Sequence, residues 1–116
     1  MIKDDFMYLR YIVDAANQIY EYIKDQDFES FIKSRLIQDA VIRELEIIGE
    51  ASKNLTKEIL KENPTIPWKD IAGMRDKLIH GYMGVNLDDV WKTTKDDVPA
   101  LKDQINKILK KNINKT

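Results

Sequence analysis

The sequence contains no cysteine, so disulfides, iron–sulfur clusters, thiolate-bound zinc and thiol catalysis are excluded together. It contains one histidine, His80, which rules out a two-histidine metal site within a chain, the H-E-x-x-H metalloprotease arrangement included. Four Gly and three Pro in 116 residues are roughly half the usual combined share of about 12%. Turns must therefore be few and the elements between them long. No apolar run approaches the roughly 18 residues of a membrane span, and the opening MIKDDFMYLR is acidic, unlike a secretory leader. No membrane role is expected, and the cytoplasm is the expected location. A net charge of −1 argues against a nucleic-acid binder whose whole surface is basic.

What is present is a single apolar budget of 43% of the residues, enough for one modest core and one domain spanning 1–116. Charge is divided unevenly. Residues 1–50 carry six Lys/Arg against eleven Asp/Glu, whereas residues 51–116 carry thirteen against nine, so a polyanion should meet the second half. Apolar residues recur at intervals of three and four, the helical period. The first stretch runs from Phe6 to Ile23 behind the cap candidates Asp4 and Asp5, and breaks at Asp25-Gln26-Asp27. The second runs from Phe28 to Ile59 and ends where Asn63-Pro64-Thr65-Ile66-Pro67 forbids helix. The third starts at Trp68 and stops near Gly81 or Gly84; the fourth opens on Asn86 and is kinked or split by Pro99. No window alternates strictly enough for a strand. The expected fold is all-α, an up-and-down four-helix bundle with extra short or kinked helices, and a basic tail that frays from about residue 110.

The third helix is the informative one for chemistry. Between Arg75 and Tyr82 the chain places Arg75, Asp76, His80 and Tyr82 among apolar residues. Asp76 and His80 are four apart and share a face, where a carboxylate can fix the imidazole tautomer and raise its pKa. Arg75 and Tyr82 align if helix persists through Gly81. Spacing alone fits equally a surface ion-pairing Arg75, a hydrogen-bonded His80 and an aromatic plug at Tyr82. On the second helix, Asp39, Arg43, Glu46 and Glu50 form a polar stripe, readable as a solvated face or as the lining of a cleft opposite the third helix. Gly49 and Ala51 are small enough for close helix approach. Trp68 and Trp91 read as core or interface anchors. Lys102, Lys107, Lys110, Lys111 and Lys115 give the end of the chain a basic character that suits RNA contact.

Met74-Arg75-Asp76-Lys77-Leu78-Ile79-His80-Gly81-Tyr82 resembles the R-x4-H-x-Y motif of HepT-like proteins in the HEPN superfamily. Asp39-Ala40-Val41-Ile42-Arg43-Glu44-Leu45-Glu46-Ile47-Ile48-Gly49-Glu50-Ala51 is similar to the family's second-helix signature. Pro64 to Trp68, Val85-Asn86 through Val90-Trp91, and Pro99-Ala100-Leu101 resemble its remaining landmarks. Nearly the whole chain is covered. Two departures stand out: Asp76 where the family often has Asn, and Val98 where it has Leu. The resemblance implies a homodimeric helical bundle acting as a metal-independent RNA endonuclease without cofactor, the toxin of a toxin–antitoxin pair. Its implied partner is a minimal nucleotidyltransferase antitoxin that transfers AMP to the motif tyrosine, here Tyr82.

Metal-free RNA cleavage needs a base for the 2′-hydroxyl, an acid for the 5′-oxygen and a cation for the charge growing on phosphorus. Arg75 suits the last role and His80 either proton role, with Asp76 and Tyr82 in support. One imidazole cannot readily be base and acid in one step, so a homodimer sharing one cleft is expected. Two other readings use the same residues. The chain is then a non-catalytic, substrate-binding companion of a nucleotidyltransferase, or a dimeric helical interaction module with Arg75 and His80 structural.

Overall fold

The three-and-four spacing of the first stretch becomes a buried stripe on α1 (Lys3–Ile23), with Leu9, Ile12, Ala16, Ile19 and Ile23 all in the core. A computed structural model describes residues 2–80 and 85–113, the side chains of Lys3, Ile79, His80 and Ile113 excepted. Asp4 and Asp5 do not cap α1. Ile2 occupies the cap position without a side-chain bond, and the two carboxylates fall in the first helical turn. Asp5 is buried there because Thr56 supplies it with two donors, its N–H at 2.9 Å and its hydroxyl at 2.6 Å. That clasp shows α3 running back along α1.

The second stretch is three helices rather than one: α2 (Phe28–Lys33), α3 (Arg35–Lys53) and α4 (Lys57–Glu62). Local hydrogen bonds win over helix continuation at each break. Ser34 is extended; its hydroxyl accepts from the Ile37 N–H and its own N–H donates to the Phe31 carbonyl, while the Gln38 side chain donates to the Phe31 and Ile32 carbonyls at the end of α2. Asn54 closes α3 and Thr56 caps α4. The break before α2 is sealed by a reciprocal capping box between Asp27 and Ser30.

α5 (Trp68–His80) follows the Pro64–Pro67 loop, as the prolines require. Gly81 and Gly84, its expected stops, lie outside the described residues. Asn86 caps α6 (Leu87–Lys92) through the N–H groups of Asp88 and Asp89. Pro99 acts one turn early. Residues Thr93–Asp97 widen into a π-helical turn in which the Val98 N–H reaches the Thr93 carbonyl five residues back. Proline has no N–H for the carbonyl four residues before it and crowds that carbonyl, so a wider turn relieves the helix before α7 (Val98–Ile113). α7 stays helical through Lys110 and Lys111, whose charge suits a helix C-terminus; residues 114–116 lie outside the described residues.

Among the described residues every regular element is helical. α3 is central, with α1 packed on one flank and α5 on the other, and α7 packs on α1. Leu45, Ile48, Ile12, Phe31 and Ile105 meet in one core. Trp91 lies against Phe28 and Phe31, holding α2 to α6, and Trp68 packs on the core edge. This is the four-helix bundle expected from the sequence, with α2, α4 and the π turn as its extra pieces. No helix among the described residues is long and apolar enough to cross a membrane.

Candidate functional site

The start of α5 is pinned before its functional residues begin. The Trp68 indole N–H donates to the Asn63 carbonyl at 3.1 Å, and the Ile71 N–H to the Pro67 carbonyl, which fixes the loop and the helix entry together. One turn on, α5 presses against α3 at Gly49. A Cβ added there would run into Arg75 Cβ and lie 2.7 Å from Arg75 Cγ, so only glycine admits the base of the arginine side chain.

That contact sets where the guanidinium goes. Arg75 is 24% exposed; its Nη2 lies 2.7 Å from Glu50 and its Nη1 3.2 Å from Asp76. Lys53 donates to the same Asp76 oxygen at 2.7 Å. Lys53 first, then Arg75, hold the Asp76 carboxyl below the usual aspartate range by hydrogen bonding. Arg75 Nε is buried without a partner. The guanidinium thus faces two carboxylates while its hydrogen bonding stays incomplete.

A groove of about 360 Å³ opens over the outer face of α3, with Arg75 on one wall and Tyr8 and Tyr11 of α1 on the other. Its floor carries Arg43, Glu46 and Glu50, so the structure brings these three polar-stripe residues to the same groove as Arg75. Asp39, the first of that stripe, pairs with Arg35 instead. Asp76 is committed to Lys53 and Arg75 at one oxygen. His80 closes α5, but its side chain and the whole of Tyr82 lie outside the described residues. A larger groove of about 700 Å³ opens on the opposite side of α5, between it and the α6–α7 arm, over Leu45, Ile48, Met74 and Leu101. It touches none of the described candidate residues.

Chemically, the smaller groove offers a phosphate one strong handle. Arg75 can exchange the Glu50 carboxylate for a phosphate oxygen pair, since both suit the guanidinium fork. Among the described residues no three His, Asp or Glu side chains are grouped as metal ligands. Sequence reasoning missed Tyr8, Tyr11 and Lys53. The available signal was position: both tyrosines flank the buried stripe of α1 rather than joining it.

The family model described as ribonuclease HepT-like matches residues 12–108. The chain is 48% identical over 103 residues to "Probable ribonuclease HepT" of Thermococcus cleftensis, covering 89% of this chain and 94% of the relative. It is 46% identical over 104 residues to "Putative RNase TTE0752" of Caldanaerobacter subterraneus subsp. tengcongensis, covering 90% and 93%. No solved structure gives a significant match.

Proposed function

The chain belongs to the HepT-like ribonuclease family, and from that membership we propose that it is an RNA endonuclease working as a homodimer without a metal. The observation that carries the reading is Arg75, a half-buried guanidinium fixed in an open groove by Gly49, five residues before His80 at the end of α5. In the proposed reaction the substrate's own 2′-oxygen attacks phosphorus as the bond to the 5′-oxygen breaks. One His80 takes the 2′-hydroxyl proton, and the partner's His80 gives a proton to the departing 5′-oxygen. Arg75 leaves Glu50 to pair with the phosphorane oxygens, where charge grows most. The products are a 2′,3′-cyclic phosphate and a 5′-hydroxyl.

Cleavage of RNA by the purified protein in EDTA tests this, because one histidine and no cysteine leave only carboxylates to hold Mg²⁺. Arg75→Ala and His80→Ala should each lower the rate by about 10²-fold or more. Activity that returns only with added metal, or near-parental rates in either variant, would sink the mechanism.

The chain is further proposed to be the toxin of a toxin–antitoxin pair, silenced by a nucleotidyltransferase that transfers AMP to the Tyr82 hydroxyl. A bulky anion there would compete with the RNA phosphate and pair with Arg75. Co-expression with such an enzyme should add AMP to the parent chain and none to Tyr82→Phe, as read by intact mass. An adduct on the variant would move the acceptor elsewhere.

One observation favours the second reading, a non-catalytic companion of the nucleotidyltransferase. Arg75 already has its charge matched by Glu50 and Asp76. The Arg75→Ala cleavage assay separates the two.

A further inference from the structure

We infer that the groove beside Arg75 seats one unpaired nucleobase, stacked on Tyr11 with Tyr8 behind it, while the adjoining phosphate pairs with Arg75. The inference rests on the ribonuclease reading and adds how its substrate is held. Packing does not call for tyrosine at position 11: the side chain is 47% exposed on the groove wall. Its ring meets Tyr8 edge to face, with centroids 6.1 Å apart, an arrangement that braces an exposed ring against rotation. A flat, neutral, apolar-faced group is what such a ring attracts.

The charges of the groove place the rest of the ligand. The floor carries Glu46 and Glu50 against Arg43, which pairs with Glu46 at 3.9 Å, so a neutral base suits the floor while the half-buried Arg75 wall offers the phosphate its fixed handle. At about 360 Å³ the groove is near the lower end of ligand pockets, about 300–1,000 Å³, which suits one nucleotide. Unpaired RNA bases splay out and stack on aromatic side chains in just this way, and the sequence tolerance of stacking leaves base identity open.

The test uses the full chain and a short labelled single-stranded RNA, 2′-O-methylated so that it has no nucleophile, with binding read by fluorescence anisotropy. Tyr11→Ala should weaken binding about 5- to 150-fold, the usual scale for losing one stacked base, while Tyr11→Phe and Tyr11→Trp keep it near the parental value. An abasic residue is then placed at each RNA position in turn. At one position the abasic RNA should bind the parent and Tyr11→Ala equally, because the base that stacks is already gone. Unchanged affinity in Tyr11→Ala, or an equal loss on every abasic RNA, would overturn the inference, as would failure of the parent chain to bind. The RNA cannot be cut, so the two readings fail separately. Tyr11-dependent binding by a protein that cleaves nothing removes only the nuclease reading.

Discussion

At the scale of single residues, the two described glycines within helices sit in opposite surroundings. Gly49 meets the base of Arg75, whereas a Cβ on Gly73 would meet nothing within 4 Å. Both occupy helix interiors, where alanine is intrinsically better by about 1 kcal/mol. Gly73→Ala should therefore raise stability by up to about 1 kcal/mol. Gly49→Ala should lower it instead, since the obstructing atom is Arg75 Cβ near the backbone and α5 itself must move; overpacking of this kind costs about 1–3 kcal/mol. Urea midpoints at one fixed protein concentration check both. A Gly49→Ala chain as stable as Gly73→Ala would mean that the α3–α5 contact is looser than described. The same contact marks how far the site was legible. Arg75 stood out in sequence by its motif, and Gly49 as a small residue permitting close approach. That the two meet, and that Glu50 and Lys53 then reach Arg75 and Asp76, depends on the register of two helices some 25 residues apart. Side-chain spacing within one helix carries no information about that register.

Among the elements, the breaks were harder to read than the helices. The apolar period passes unbroken through Ser34 and Thr56, because α2, α3 and α4 all turn their apolar sides to one core. Prolines announce a break by removing a donor, and the Pro64–Pro67 loop was legible for that reason. Serine and threonine break a helix only when a nearby N–H or carboxylate takes their hydroxyl, and Asp5 lies 51 residues away from Thr56. Thr56 serves two ends at once: its hydroxyl caps α4 at the Ile59 N–H and donates to the buried Asp5. Thr56→Val keeps the shape, loses the cap and leaves a buried carboxylate with one donor fewer. The cap alone is worth about 1 kcal/mol and a bond to a charged group about 1.5–3 kcal/mol. A loss on the order of 2 kcal/mol or more is expected for Thr56→Val, and near-parental stability for Thr56→Ser. Equal midpoints for the two variants would show that the α1–α4 clasp contributes little.

For the whole molecule, shape and histidine count bear on different faces of α5. The chain is a slab of 47 × 28 × 20 Å with a Cα radius of gyration of 14.5 Å, against about 13 Å for a compact domain of this length. Among the described residues α5 packs chiefly on α3, and its far side borders the open 700 Å³ groove. On the side of α5 away from Arg75 the described residues thus leave a flank uncovered, and it is the single histidine that calls for a shared cleft. If the proposed homodimer shares one cleft that needs both imidazoles, each chain supplies half of the machinery, and that can be read by mixing parent and inactive chains. A dimer of one parent chain and one His80→Ala chain retains a single imidazole. In a shared two-histidine cleft it lacks either the base or the acid, so its rate should fall by about 10²-fold or more, as for any lost proton-transfer group. If each chain held a complete site of its own, the mixed dimer would keep one intact site and about half of the parental rate. Unfolding and refolding the two chains together, with native mass spectrometry to count mixed dimers, gives the fraction against which the rate is judged. Abundant mixed dimers that keep half of the parental rate would confine the chemistry to one chain and end the two-histidine mechanism.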